Sequence, residues 1–215
     1  MIRVFETFTS LQGESSYAGA RCHFIRLAGC PLRCAWCDTR PAQDPASGRD
    51  MNVAELVAGA LASGTGLVEV TGGEPLMQKE CVPLLRALCE AGLRVLLETN
   101  GAADASGVPE EVVRIFDWKL PSSDMEQAMR PANFRTLRPH DEVKFVIGSH
   151  ADFLRAREVE REFRIPEQTA HIFYSPVWGE VAFADLAAWM LETAAPGRMQ
   201  LQLHKLVWGP DATGV

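Results

Sequence analysis

No run of about 18 apolar residues occurs anywhere in the 215 residues, so no stretch is suited to crossing a bilayer as a helix. Positive charge is scarce as well: 21 lysines and arginines face 28 aspartates and glutamates, a net charge of −7. Holding a phosphate backbone needs clustered cations, so this deficit argues against nucleic acid as a partner and for a small-molecule substrate. The opening residues Met1-Ile-Arg-Val-Phe-Glu6 lack the basic segment, apolar core and small-residue cleavage site of an export signal. A cytoplasmic location is therefore expected, and in a reducing compartment the six cysteines are expected as thiols, not disulfides. Apolar residues are not in short supply as they are in disordered chains. At 47% apolar and 23% charged, the composition is that of a globular protein, and the length suits one α/β domain with a sizeable core.

The residues that organise the chain are Cys30-Pro-Leu-Arg-Cys34-Ala-Trp-Cys37-Asp38-Thr39, three cysteines in a C-x3-C-x2-C spacing with no fourth ligand close by. A structural zinc site closes with four protein ligands, whereas an iron–sulfur cube held by three thiolates leaves one iron open to a non-protein ligand. Spacing alone leaves both readings open, the zinc reading being a knuckle completed by His23 or by a distant cysteine. Cys22 lies in an apolar run, and Cys81 and Cys89 in a helical pattern, so these three read as small buried hydrophobes.

Residues 2–8 alternate apolar and polar and residues 22–27 form a short apolar run, which predicts two strands flanking a polar loop over 9–16. Residues 41–50, rich in Pro, Ala, Asp and Gly, are expected to be irregular. Asn52 with Glu55 three residues on predicts a capped helix running to Gly64. From there strands are predicted at 67–71, 94–98, 115–120, 142–147, 171–175 and 199–203, and helices at 80–91, 109–114, 151–163 and 183–192. That rhythm of βα units gives a parallel sheet. With fewer helices than strands it predicts an α/β fold, a partial βα barrel open at one side, with about six parallel strands and reduced helical content. Active-site residues of such barrels gather in the loops at the C-terminal strand ends. Here those loops hold the three cysteines, Thr71-Gly-Gly73-Glu74-Pro75, Thr99-Asn-Gly101 and Lys119-Leu-Pro121-Ser122. Four polar loops on one rim are more than a structural zinc module needs.

The cysteine spacing resembles the signature of the radical S-adenosylmethionine (SAM) superfamily, and Gly72-Gly73-Glu74-Pro75 resembles its SAM-binding segment. Taken with Leu11-Gln12-Gly13-Glu14, Arg26, Cys37-Asp38-Thr39 and Gln202-Leu-His204-Lys205, the pattern resembles the 7-carboxy-7-deazaguanine synthase family over nearly the whole chain. The resemblance implies a single radical SAM domain over residues 1–215, with 1–20 as an N-terminal substrate-binding extension. It implies a lyase of queuosine and 7-deazapurine biosynthesis that contracts 6-carboxy-5,6,7,8-tetrahydropterin to 7-carboxy-7-deazaguanine with release of ammonia. The cofactors implied are a [4Fe–4S] cluster, SAM and Mg2+, and the partners an electron donor such as flavodoxin or ferredoxin and a second copy in a homodimer.

By the same resemblance, Cys30, Cys34 and Cys37 hold the cluster at the catalytic centre. Leu11, Gln12, Gly13, Glu14, Arg26, Thr71 and His204 bind the substrate; amide and carboxylate groups suit a pterin edge, and a guanidinium fork suits a carboxylate. Trp36, Cys37, Asp38, Gly73, Glu74, Lys119, Pro121, Ser122, Ser175 and Pro176 bind SAM, with Glu74 at its methionine ammonium and Trp36 at its adenine. Thr39 lends an oxygen to Mg2+, a hard cation that favours oxygen ligands. Residue type alone also allows Trp36 as a core tryptophan, Lys119 as a solvated rim charge, Thr39 as a strand cap and His204 as packing under the barrel. The chain departs from the family at Ser15, where Gln-Gly-Glu is commonly followed by Gly, and over residues 40–52. The nearest competing reading is a glycyl-radical-enzyme activase; Gln12, Glu14 and Arg26 favour a small acidic heterocycle over a protein glycine.

Overall fold

A computed structural model describes residues 1–215. Its strands are β1 (Ile2–Leu11), β2 (Arg21–Leu27), β3 (Arg49–Met51), β4 (Leu67–Gly72), β5 (Arg94–Thr99), β6 (Val113–Trp118), β7 (Glu142–Ile147), β8 (His171–Pro176) and β9 (Arg198–Met199). All nine join one sheet in the order β3-β1-β2-β4-β5-β6-β7-β8-β9. β1 is antiparallel to β2 and β3, and every pairing from β2 onward is parallel. β3 and β9 remain as edges, so this α/β sheet is a partial, open barrel. The helices are α1 (Val53–Ala62), α2 (Cys81–Glu90), α3 (Pro131–Phe134), α4 (His150–Glu162), α5 (Ile165–Gln168), α6 (Phe183–Glu192) and α7 (Leu203–Trp208). α1 starts as its sequence predicts: Asn52 Oδ1 accepts from Glu55 N at 2.8 Å, and Asn52 N donates to Glu55 Oε2 at 2.8 Å.

Strand alternation divides the sheet into two faces. Val68, Val70, Val95, Leu97, Phe116, Val143, Phe145 and Tyr174 point outward and share one buried cluster with Leu84, Leu85, Leu88, Phe153 and Leu186 of the covering helices. Cys22, Phe24, Leu67, Leu96, Val113 and Ile115 form a separate apolar plug inside the barrel. Above that plug the inward positions turn polar: Glu69 and Thr71 on β4, Glu98 on β5, Asp117 on β6 and Lys144 on β7 all line one cavity.

Four local expectations are corrected. The helix expected at 109–114 is absent. Val112 N bonds to Pro109 O in a turn, and Val113 and Arg114 already belong to β6, where Asp141 takes Arg114 N at 3.2 Å and its guanidinium Nε at 3.1 Å. The strand expected at 199–203 is only two residues long, because Leu203 begins α7 with its N–H on Gly13 O at 2.9 Å. β1 runs on through Thr9 and Ser10 to Leu11, kept extended by pairing with β2 up to Leu11 opposite Arg21. The stretch from 41 to 50 is a pair of 3-10 turns and the start of β3.

Candidate active site

A cavity of about 470 Å³ opens at the C-terminal ends of the parallel strands. It is bordered by the cysteine loop, the Gly72-Gly73 turn, Thr99 and Asn100, the residues from Leu11 to Ser15, and Gln202 to Lys205 on and before α7. Leu11, Gln12, Gly13, Glu14, Arg26, Cys30, Cys34, Trp36, Cys37, Asp38, Thr39, Thr71, Gly73, Lys119 and His204 all line it. These residues are far apart in sequence, and strand ends and their loops bring them to one rim.

The cysteine loop is fixed through its backbone. Gly29 N bonds to Ala42 O at 2.7 Å, Cys30 N to Gln43 O at 3.0 Å, and Ala35 N to Ser123 O at 3.1 Å. The Gly72-Gly73 turn packs directly on its base: Gly73 N reaches Leu27 O at 3.0 Å and Glu74 N reaches Gly29 O at 2.8 Å. A Cβ at Gly72, whose φ is +131°, would lie 2.1 Å from Leu27 O, and one at Gly73 would lie 2.1 Å from Gly29 O. Glycine is required here because two backbone segments approach too closely for any side chain.

The three thiols are free, half-buried and open to the same cavity. Burial pushes the Cys30 thiol up and carries Cys34 to about 11. No group of three or more His, Cys, Asp and Glu side chains closes on a single metal ion, and neither His23 nor another cysteine completes a zinc knuckle. Three thiols on one cavity with no fourth protein ligand match a cluster that leaves one iron open. Asn100 Nδ2 donates to Cys30 Sγ at 3.7 Å, a bond that would persist to a cluster thiolate. Ser175 Oγ, near the end of β8, is buried without a partner. The donor set fits a three-thiolate iron–sulfur cluster.

A buried charge network forms the far wall. Lys144 Nζ donates to Glu14 Oε2 at 2.6 Å and to Glu98 Oε1, and lies 3.6 Å from Asp117 Oδ2. Burial opposes the Lys144 charge, but Glu14, Glu98 and Asp117 overcome it and hold its ammonium well above the usual lysine range. Lys119 Nζ binds Asp117 at 2.8 Å and sits 4.9 Å from the centre of the half-buried Trp36 ring. It is a buried cation, not a rim charge, and Trp36 faces the cavity and not the core. Gln12 donates its amide to Glu69, whose carboxyl is raised by burial and then by the charge of Glu98. Arg26 gives its Nε to Glu6 at 2.9 Å and leaves both terminal nitrogens without a protein partner. Asp38 is half exposed, and Lys205 at 3.3 Å and the Thr39 hydroxyl at 3.0 Å hold its carboxyl below the usual carboxylate range. His204 packs beside Gly13, and burial lowers its imidazole below the ordinary range.

Five expected site residues do not line this cavity. Glu74 is fully buried, and its carboxylate is already taken by Thr99 Oγ1 at 2.8 and 2.9 Å, Asn100 N at 2.8 Å and Leu76 N at 3.0 Å. Three donors therefore occupy this carboxylate and leave about one of its four lone-pair directions, while burial keeps it off the cavity surface. Ser122 is locked to Asp152 through its N–H and its hydroxyl, and reaches the cavity only through Trp36 Nε1 at 3.4 Å. Pro121 faces outward beside it. Ser175 and Pro176 are buried at the end of β8, with the next residues, Val177 and Trp178, lining the cavity. Conversely, Glu69, Glu98, Asp117, Lys144 and Gln202 belong to the site and were not expected. The first four had a signal in the sequence, since each is a charge within a mostly apolar strand of the parallel sheet, and Gln202 stands in the Gln202-Leu-His204-Lys205 motif.

Residues 24–117 match the model of the radical SAM superfamily. The chain is 42% identical to the 7-carboxy-7-deazaguanine synthase of Koribacter versatilis, with all of both chains covered, and 44% identical to that of Chlorobaculum tepidum over 100% of this chain and 97% of the relative. The chain belongs to the 7-carboxy-7-deazaguanine synthases. Among solved structures, its fold is similar to the crystal structure of QueE from Escherichia coli, with a TM-score of 0.74, 24% identity and 94% of each chain covered. A more distant likeness, at a TM-score of 0.57 and 12% identity, is to Streptococcus suis SuiB bound to the precursor peptide SuiA, covering 83% of this chain and 47% of that one. Membership in this radical SAM family implies a [4Fe–4S] cluster and SAM, the groups that the three thiols and the adjoining glycine turn fit. No helix is long and apolar enough to cross a membrane.

Proposed function

We propose that this enzyme contracts 6-carboxy-5,6,7,8-tetrahydropterin to 7-carboxy-7-deazaguanine with loss of ammonia, using the cavity at the strand ends. The observation that carries the reading is Arg26: a guanidinium steered by Glu6 so that two free nitrogens remain at a cavity shared with three thiols. A planar fork of N–H donors matches a carboxylate on the substrate ring. Cys30, Cys34 and Cys37 hold the cluster, and when bound the cluster and SAM supply one-electron chemistry at the substrate. The backbone of Leu11 to Gly13, with Glu14, Thr71 and His204, pairs the polar edge of the pterin. Gln12 braces this loop against Glu69, because its amide is already engaged there and its Oε1 accepts from Glu14 N at 3.1 Å. Trp36, Asp38, Gly73 and Lys119 border the SAM side, Glu74 fixes the glycine turn from behind, and Ser122, Pro121, Ser175 and Pro176 support its wall.

Thr39 offers its hydroxyl to Mg2+ beside an Asp38 that stays ionised at neutral pH, which suits a hard cation. Residues 1–20 act as a substrate-binding extension of one radical SAM domain spanning 1–215. The enzyme works as a cytoplasmic homodimer that takes its electrons from a flavodoxin or ferredoxin. The test is anaerobic incubation of reconstituted protein with the carboxypterin, SAM and a reductant. Formation of the deazaguanine is expected; an inert protein that instead installs a radical on a partner's backbone glycine would replace this reading with an activase.

A further inference from the structure

We infer that Gln200 is a positioning residue for the substrate, acting through Ser15, a role that rests on the carboxypterin reading above. Ser15 is buried and has φ +65°, a left-handed conformation that an L residue adopts only under constraint. Local turn bonds from Ala18 N to Ser15 O and from Tyr17 N to Ser15 Oγ contribute, and the long-range part of the constraint comes from one side chain 185 residues away. Gln200 Oε1 accepts from Ser15 N at 2.9 Å, and Gln200 Nε2 donates to Ser15 O at 2.9 Å, so a single buried carboxamide satisfies both backbone polar groups of that residue. Gln200 is itself tied to the frame, its N–H donating to Tyr174 O of β8 at 2.9 Å. The clamp therefore runs from the sheet, across the barrel's open side, to the loop that borders the substrate cavity.

What the clamp positions is Glu14. Its carboxylate enters the cavity toward Lys144, and it is the residue immediately before the strained one. If Ser15 relaxed toward negative φ, the chain direction at Glu14 would change and the Lys144 contact would be lost. A glycine at this position would hold positive φ without strain, so a chain with glycine there would depend less on the carboxamide. The serine and Gln200 are coupled parts of one device.

A double-mutant cycle on full-length reconstituted enzyme tests this. Gln200→Ala should raise KM for the carboxypterin about tenfold, with kcat changed less than about twofold, because it removes two hydrogen bonds that hold a binding group and none at the reacting atoms. Iron content and SAM cleavage without substrate should match wild type. In a Ser15→Gly background the same substitution should raise KM only about threefold, since relief of left-handed strain recovers the remainder. Amide hydrogen exchange over residues 13–17 should speed up in Gln200→Ala, a readout that needs no turnover. A wild-type KM in Gln200→Ala, or an equal rise in both backgrounds, overturns the role. A wild type inert toward the carboxypterin overturns the substrate reading and this role with it, while the exchange rates still report whether the clamp exists.

Discussion

The cysteine loop and the substrate loop face the same cavity but are held by different kinds of bond. The first is anchored mainly backbone to backbone, at Gly29, Cys30 and Ala35, and by the glycine turn pressed against Leu27 and Gly29, with Arg33 and Arg40 adding bonds to Cys30 O and Ala35 O. The second is held largely by side chains from other strands and from the segment between β9 and α7: Glu69 on Gln12, Lys144 and Gln202 on Glu14, Gln200 on Ser15, and Glu142 on Ser16. Backbone anchoring tolerates most substitutions that spare the glycines. Side-chain anchoring makes the geometry of the substrate side depend on particular residues 57 to 188 positions away, and a change at any of them is felt at the site.

The contrast is broken most strongly at Lys144. Lys144→Met would leave Glu14, Glu98 and Asp117 facing one another in a buried wall, and removing one partner of a buried charge set costs about 3 kcal/mol or more. Thermal unfolding should shift down by roughly 8 °C, and an unchanged Tm would contradict the network. On the other side, Glu74→Ala should lower stability by about 2 kcal/mol, because Thr99, Asn100 N–H and Leu76 N–H lose a buried acceptor. SAM affinity should fall with it as the glycine turn loosens. A loss of SAM affinity at unchanged Tm, measured by calorimetry and melting of the same samples, would instead mark Glu74 as a direct ammonium contact.

The smallest effect is a pH dependence at the outer fastening of the substrate loop. Burial raises the Glu142 carboxyl to about 7, against the opposing pull of Ser16 N–H and then of Arg198 and Lys144. An unfolded glutamate titrates near 4.3, so from about pH 4.5 to 7 the folded state holds a proton that the unfolded state has released. The stability contributed by this group is complete below that window and lost as pH rises through it. Glu142→Gln cannot ionise, so its Tm relative to wild type should climb by a few degrees between pH 5 and 7.5 and then level off. A difference that stays flat across this range would show that Glu142 titrates normally.

The difference between the two loops also explains what was legible in the sequence. Short-range signals held: the period-two strands, the Asn52–Glu55 cap and the crowding of cysteines and glycines at strand ends all sit where the pattern puts them. The thiols, Arg26, Trp36 and Thr39 line one cavity as the motifs imply. What escaped depends on partners remote in sequence. Glu74 looks like a free carboxylate until β5 folds Thr99 and Asn100 onto it. Arg114 joins a strand and not a helix because Asp141 reaches its backbone from the loop before β7. Gln200 has no motif at all, and only the closure of residues 12–17 against β8 and β9 gives its carboxamide a purpose.

The central claim is that the cavity joins a radical-generating side to a side that recognises a carboxylate through Arg26. The most direct measurement compares reconstituted wild type and Arg26→Lys for carboxypterin conversion and for SAM cleavage without substrate. Lysine keeps the charge and loses the planar fork, so conversion should fall ten- to a hundredfold, as expected for about 1.5–3 kcal/mol of charge-assisted bonding, while substrate-free SAM cleavage and iron content stay at wild-type levels. Normal conversion by Arg26→Lys would contradict the account.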